Sequence, residues 1–279
     1  MKQKIYPCIW SNGNAKEAAA FYIDTFGNGT VETDSPMVLM LYLHGEKFMF
    51  LNAGPQYPPN PSISFFVVCE TAAEVEKYFH SLSDSGNILM PLDTYEWSQK
   101  YAWVQDRFGV SWQLYMGKME EVGQKFTPLL MFTNEQAGKA QQAIHKYTSV
   151  FEKSSIVGIL NFSANEEAPE SYVKHSQFTL SGQVFMAMDS PIPHAFHFTE
   201  GLSLVVECAD QSEIDRYWSA LTENGSESMC GWLKDEFGVS WQIVPEILGE
   251  LMQDPERAPR VIAAFMQMRK FEIEALLRA

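Results

Sequence analysis

The residues able to do chemistry fall in a few short stretches. The first is Asp93-Thr94-Tyr95-Glu96-Trp97-Ser98-Gln99-Lys100-Tyr101-Ala102-Trp103, a loop dense in aromatic rings. Aromatic faces give contact area at low entropic cost, so such a loop beside a curved sheet suits a small apolar ligand. Tyr95, Trp97, Tyr101 and Trp103 are the candidate lining, with Gln113 of the following strand as a polar member. The plainer reading is an aromatic lid sealing a domain or dimer interface. Asp93 and Glu96 would act as a general base if desolvated, since burial raises a carboxylate's pKa; otherwise they cap turns.

The second stretch is His194-Ala195-Phe196-His197, with Glu200 just beyond. Imidazole and carboxylate together are ligand types for a divalent metal. Positions i and i+3 of a strand face opposite ways, so a joint site needs a loop or a helical turn. The plainer reading is loop histidines with no shared role. His44 reads as a turn residue, and His80 and His145 as helix-surface residues. Cys69 and Cys208 end apolar strands and read as small buried hydrophobes. Asp106 and Asp235 precede Phe-Gly and read as turn-formers, while Trp112 and Trp241 read as core. No Ser-His-Asp arrangement or phosphate-cradling glycine loop stands out.

These stretches belong to a repeat. Trp103-Val104-Gln105-Asp106-Arg107-Phe108-Gly109-Val110-Ser111-Trp112-Gln113-Leu114 recurs as Trp232-Leu233-Lys234-Asp235-Glu236-Phe237-Gly238-Val239-Ser240-Trp241-Gln242-Ile243. Upstream, Ile63–Cys69 matches Leu202–Cys208, and Glu74, Tyr78, Leu82 and Gly86 match Glu213, Tyr217, Leu221 and Gly225. The expected organisation is one domain at 1–118, its copy at 124–245 and a tail at 246–279. The stretch from Gly86 to Trp103 shortens to Gly225–Trp232, so the aromatic loop exists in the first copy alone. Any surviving site therefore belongs to that copy.

Each half-copy reads β-α-β-β-β. Asn14-Ala15-Lys16-Glu17 and Thr71-Ala72-Ala73-Glu74 have the form of capping boxes. Apolar residues at helical spacing follow each, with Gly27 and Gly86 as stops. In the first half-copy strands are expected at Met37–Leu43 and Lys47–Leu51, joined at His44-Gly45. Pro55, Pro58, Pro59 and Pro61 then interrupt any sheet. Ser62–Cys69 reads as a buried strand, followed by strands near Ile88–Met90, Tyr101–Gln105 and Ser111–Tyr115. In the tail, Pro259–Arg278 is expected as one amphipathic helix of roughly 30 Å, a strap across the two domains or a partner-recruiting helix.

Composition bounds the rest. A chain of 279 residues that is 46% hydrophobic has material for two real cores. A formal charge of −15 repels phosphate backbones and anionic lipid surfaces, so neither nucleic acid nor a membrane is an expected partner. No apolar run approaches a bilayer span. The basic start Met1-Lys2-Gln3-Lys4 gives way to polar residues from Ser11 to Glu17, which interrupt a signal-peptide core. Four scattered cysteines without C-x-x-C favour a cytoplasmic protein.

The twice-used β-α-β-β-β unit resembles the vicinal oxygen chelate superfamily of glyoxalases and dioxygenases. Met90-Pro91-Leu92-Asp93-Thr94-Tyr95-Glu96-Trp97-Ser98-Gln99-Lys100-Tyr101-Ala102-Trp103, running into Asp106-Arg107-Phe108-Gly109-Val110-Ser111-Trp112-Gln113, is similar to the PhnB-like branch, often labelled 3-demethylubiquinone 3-methyltransferase. The resemblance covers residues 1–245 and implies an α+β fold of two tandem domains with curved mixed sheets plus a C-terminal helix. It implies a small-molecule ligand, and a homodimer is compatible with it. Superfamily enzymes commonly hold a divalent metal with His, Glu or Gln on the first and last strands of each unit. Here Tyr6-Pro7-Cys8, Ile63-Ser64, Phe126-Thr127-Pro128 and Leu202-Ser203 carry no such group, leaving Gln113 and Gln242. The expected protein thus works without a cofactor; the alternative is a divalent-metal lyase, isomerase or dioxygenase built on an unusual set such as Gln113, His194, His197 and Glu200. Methyl transfer from S-adenosylmethionine is disfavoured, because Gly27-Asn28-Gly29 follows a helix instead of opening one.

Overall fold

The computed structural model describes residues 3–279; Met1 and Lys2 of the basic N-terminal stretch lie outside them. The described chain is built from four β-α-β-β-β modules. The first holds β1 (Ile5–Ser11), α1 (Ala15–Phe26), β2 (Gly29–Asp34), β3 (Val38–Leu43) and β4 (Glu46–Asn52). The second holds β5 (Ile63–Cys69), α2 (Ala72–Ser83), β6 (Asn87–Tyr95), β7 (Ser98–Gln105) and β8 (Ser111–Met116). A short α3 (Met119–Val122) leads to the third: β9 (Phe126–Phe132), α4 (Ala140–Val150), β10 (Ser155–Asn161), β11 (Val173–Leu180) and β12 (Gln183–Asp189). The fourth holds β13 (Leu202–Cys208), α5 (Gln211–Thr222), β14 (Ser226–Glu227), β15 (Trp232–Lys234) and β16 (Ser240–Pro245), before α6 (Ile247–Gln253), α7 (Ala258–Phe265) and α8 (Ile273–Arg278). The α+β fold of repeated glyoxalase-type modules is the one expected.

Contact density divides the chain into two compact units: the residues up to Tyr6 with Ser203–Ala279, and Pro7–Leu202. The larger unit contains a complete sheet ordered β10-β11-β12-β9-β5-β8-β7-β6. Its central pair is β5 and β9, antiparallel, with Ser64 opposite Leu129 and Phe66 opposite Thr127. A strand of the first sequence copy therefore pairs with a strand of the second. The same unit holds the order β1-β4-β3-β2, with β1 parallel to β4. One face of the large sheet packs an aromatic core: Trp112 lies between Phe26, Phe65 and Tyr22, with ring centroids 4.9, 5.1 and 5.1 Å away. Packing on both faces, with these rings on one of them, explains why β5 is buried throughout and apolar at every position but Ser64.

The smaller unit orders β14-β15-β16-β13, with β13 parallel to β16. Its tail differs from the expected single helix. The run breaks after Phe265 and resumes at Ile273. Between them the chain turns to make backbone bonds from Cys230 N to Met268 O and from Gly231 N to Arg269 O, both 2.7 Å. Phe271 is 2% exposed, and Gln211 of α5 donates to its carbonyl. Satisfying a sheet end outweighs helical continuity here. The tail straps the fourth module.

Three other local expectations are corrected. Asn14 makes no side-chain cap; Asn52 Oδ1 accepts from Ala15 N instead, at 3.2 Å. Gly29–Asp34 is a further strand, β2, absent from the sequence reading because the flanking Gly27-Asn28-Gly29 reads as a turn. Asp93–Tyr101 is a hairpin instead of a loop, with Asp93 opposite Tyr101 and Tyr95 opposite Ser98. By contrast, Thr71 caps α2 through its Oγ1 (3.2 Å from Glu74 N), and His44-Gly45 forms the hairpin turn with φ of 50° and 85°. The matched hairpin of the fourth module, β14–β15, is short, as the deletion requires.

Candidate functional site

Side chains alternate across a strand, so the residues facing away from the Trp112 core share the other face of the large sheet. Phe66, Val68, Tyr101, Leu129 and Met186 form one buried cluster there with Val122 of α3. Trp103, Tyr115, Tyr95, Met90, Met119 and Met188 pack around it, partly exposed. The sheet curls over this cluster. Three strand spacings of about 4.8 Å separate β11 from β5, yet the ring of His175 on β11 lies 6.1 Å from that of Phe66 on β5. The face is a bowl whose floor is filled by packed side chains: Phe66 is 6% exposed and Met186 1%.

The five sequence candidates meet at one wall of this bowl. Tyr95 and Trp97 stack at 5.0 Å, and Tyr101 meets both edge-on at 5.5 and 5.7 Å. The Tyr101 hydroxyl donates to Gln113 Oε1 at 2.8 Å, and Gln113 Nε2 donates to Ser64 Oγ at 2.9 Å. Trp103 Nε1 donates to Ser111 Oγ at 2.7 Å. Burial raises the Tyr101 pKa, so the group stays a protonated donor. Trp97 stands at the rim, 51% exposed. The amide–hydroxyl pair recurs in the smaller unit, where Gln242 Nε2 donates to Ser203 Oγ at 3.0 Å.

The other candidates lie elsewhere. Asp93 Oδ1 accepts from Thr94 N, which is turn capping. Asp106 holds its turn through Phe108 N and Val110 N, and its second oxygen accepts from Tyr22 and Trp112. Cys69 and Cys208 are buried, and burial pushes both thiols up to about 12. His194 Nε2 sits 2.7 Å from Ser190 Oγ, while His197 is exposed. Among the described residues, no group of three or more His, Cys, Asp or Glu is placed to hold a metal ion. His175 is a lone imidazole in the bowl, so the metal of the fold family finds no set of donors there among the described residues. Its corresponding strands present Ser64, Gln113, Thr127 and Met186, with the Gln113 amide engaged on both ends. These groups do not fit a divalent ion, which prefers imidazole or carboxylate.

Sequence reasoning missed Phe66, Met186 and His175 as members of the bowl. Phe66 and Met186 lie on strands that read only as core, and His175 stands alone with no partner at motif spacing. It missed Glu207 of β13 too, whose Oε1 accepts from the Tyr6 hydroxyl at 2.9 Å. A separate open groove of about 850 Å³ is lined by Glu17, Phe21, Asp24, His80, Asp84 and Arg107. Its Arg107 is paired with Glu17 and lies over the Phe21 ring.

The fold has solved counterparts. Glyoxalase I from Zea mays matches 90% of this chain and 95% of its own at 13% identity, with a TM-score of 0.58. That likeness is one of fold. The PhnB protein of Bacillus cereus, which carries the name 3-demethylubiquinone-9 3-methyltransferase, is 32% identical over 41% of this chain and 100% of its own, with a TM-score of 0.38. Protein PA1353 of Pseudomonas aeruginosa is 29% identical over 41% of this chain and 98% of its own, with a TM-score of 0.38. No curated protein matches the chain. The family model described as 3-demethylubiquinone-9 3-methyltransferase matches twice, over residues 3–115 and 124–244. With the larger part of both copies covered, the chain belongs to that PhnB-like family, on the vicinal oxygen chelate fold.

Proposed function

We infer that this chain binds an uncharged, largely apolar small molecule in the bowl of its larger unit, without a metal. The observation that carries the reading is the composition of that face. Aromatic and methionine side chains line it, and its wall polar groups pair as Tyr101–Gln113–Ser64 and Trp103–Ser111. Such a surface recognises apolar area and one or two hydrogen-bonding groups. Met90, Met119, Met186 and Met188 give it adaptability, because an unbranched thioether re-packs at low cost. A cytoplasmic setting suits four cysteines that form no disulfide, and a homodimer is compatible with this reading.

The test is ligand-observed NMR with a panel of neutral aromatic fragments, before and after exhaustive chelation. Fragments that bind the wild-type chain are expected to weaken about tenfold or more with Trp103→Ala, the equivalent of 1.4 kcal/mol, and to ignore the chelator. Binding that survives both Trp97→Ala and Trp103→Ala, or that disappears on chelation, overturns the reading.

A further inference from the structure

Of the four cysteines, three are buried and Cys230 alone is partly exposed. It stands between β14 and β15 with φ of 58°, a left-handed conformation uncommon for a residue with a side chain, and Gly231 follows at 80°. Backbone bonds pin that turn. Trp232 N donates to Met229 O at 3.1 Å, Ile243 N to Gly231 O at 2.8 Å, and Cys230 N itself to Met268 O at 2.7 Å. The thiol meets the end of α7, with Sγ 3.7 Å from Phe265 O and 3.7 Å from Met266 Sδ. Met266 is held in turn, its N–H donating to Ile262 O at 3.0 Å. The break of the tail after Phe265 delivers this thioether. Two soft donors, 36 residues apart in the chain, thus meet on backbone that is fixed on both sides. Met266 is 53% exposed and Met229, beside Cys230, is 43% exposed, so the pair opens to solvent.

Thiolate and thioether are soft ligands, and they select soft cations such as Cu(I). Two sulfurs bound to one ion at about 2.3 Å stand about 3.8 Å apart at a tetrahedral angle and about 4.0 Å apart at a trigonal one. The Cys230–Met266 separation of 3.7 Å lies close to the first of these, so an ion would be bridged with little movement of either side chain. One thiolate cancels the charge of a monovalent ion, which leaves a half-buried site neutral. Zn(II) would keep a positive charge there and asks for four protein ligands in a closed site. Mg(II) and Ca(II) ask for oxygen. The formal charge of −15 draws cations toward the surface in general, and the sulfur pair selects among them.

We propose that Cys230 and Met266 form a surface site for one soft monovalent metal ion of the Cu(I) class. Binding breaks the S–H bond of Cys230, the proton leaves to solvent, a sulfur–metal bond forms, and no electron is transferred. The Met266 sulfur gives a lone pair and loses nothing. Because one ligand sits on the β14–β15 connection and the other at the end of α7, the ion clips the tail to the fourth module. Both ligands belong to the smaller unit. The site is therefore distinct from the metal-free bowl and does not rest on that reading.

The experiment titrates the full chain with Cu(I), without oxygen, against a chromogenic Cu(I) chelator. Ag(I) serves as a redox-inert probe for NMR of the methionine methyl groups. Wild type is expected to take up one equivalent of Cu(I), and Ag(I) to shift the methyl signal that Met266→Leu removes. Cys230→Ser should abolish the uptake. Met266→Leu conserves volume at an exposed position, so it should fold as wild type does and weaken Cu(I) about tenfold or more. Met37→Leu alters a methionine of the larger unit that is 59% exposed, and should leave the uptake unchanged. Ag(I) should also raise the melting temperature of wild type and leave that of Cys230→Ser where it was, as a ligand of the native state does. Equal affinity in wild type and Met266→Leu would mean that a single thiol does the binding, and overturns the pair. Uptake that survives Cys230→Ser, or that stays well below one equivalent in wild type, overturns the site. The bowl stands or falls on its own test in either case.

Discussion

Asp106 concentrates the physics of the first copy in one side chain. One oxygen takes Phe108 N (2.8 Å) and Val110 N (3.0 Å), and the other takes the Tyr22 hydroxyl and Trp112 Nε1, both at 2.7 Å. Asp106→Ala strips four donors of their acceptor, two of them fully buried side chains. Each orphaned donor costs about 1–3 kcal/mol, so a loss of about 4 kcal/mol is expected in urea unfolding. Burial also raises the Asp106 pKa to about 6. A folded pKa above the unfolded value means that the native state holds the proton more tightly. The corresponding stability is present below about pH 4 and is lost as pH rises through about 6. Asp106→Asn should flatten that part of the pH–stability curve; an unchanged slope there would assign it to another group.

At the scale of elements, Glu46 ties the β3–β4 hairpin to the start of β9. Its Oε1 accepts from Lys125 N at 2.8 Å and from Phe126 N at 3.1 Å. Burial raises its pKa to about 8, with the two backbone bonds and Lys125 pulling the other way. The sign is that of Asp106 over a wider window: the contribution is intact below about pH 4 and is lost by about pH 8. Glu46→Gln keeps an acceptor without the charge. It should therefore be the more stable protein at pH 9 and lose its advantage toward pH 4, as followed by thermal melts. The long hairpin β6–β7 is the other decisive element. Its far end brings Tyr95 and Trp97 onto Tyr101, and Lys100 pairs with Glu76 of α2 to hold it.

At the scale of the molecule, the tail and the pairing of modules matter most. Phe271 packs on Gly231, whose φ is 80° and where an added Cβ would meet the ring at 2.5 Å. Phe271→Ala should cost about 3–4 kcal/mol as a buried aromatic truncation. Deleting 254–279 should lower the melting temperature of the smaller unit. A deletion with an unchanged melt would mean that the tail is not a strap.

The sequence alone determined the modules. The repeat, the Thr71 cap, the His44-Gly45 turn and the buried β5 were legible because each rests on local pattern: helical spacing, a turn dipeptide, a run of β-branched and aromatic residues. It also placed Tyr95, Trp97, Tyr101, Trp103 and Gln113 close in sequence, and the structure brings them to one wall. Tertiary structure decided what local pattern cannot encode. All four modules carry similar strands, so nothing in the periodicity says that β5 pairs with β9 across the two copies. Curvature is likewise a property of the whole sheet, and it carries His175 over Phe66 from three strands away. The tail's helical pattern yielded to backbone bonds with Cys230 and Gly231, because an unsatisfied sheet end costs more than a broken helix.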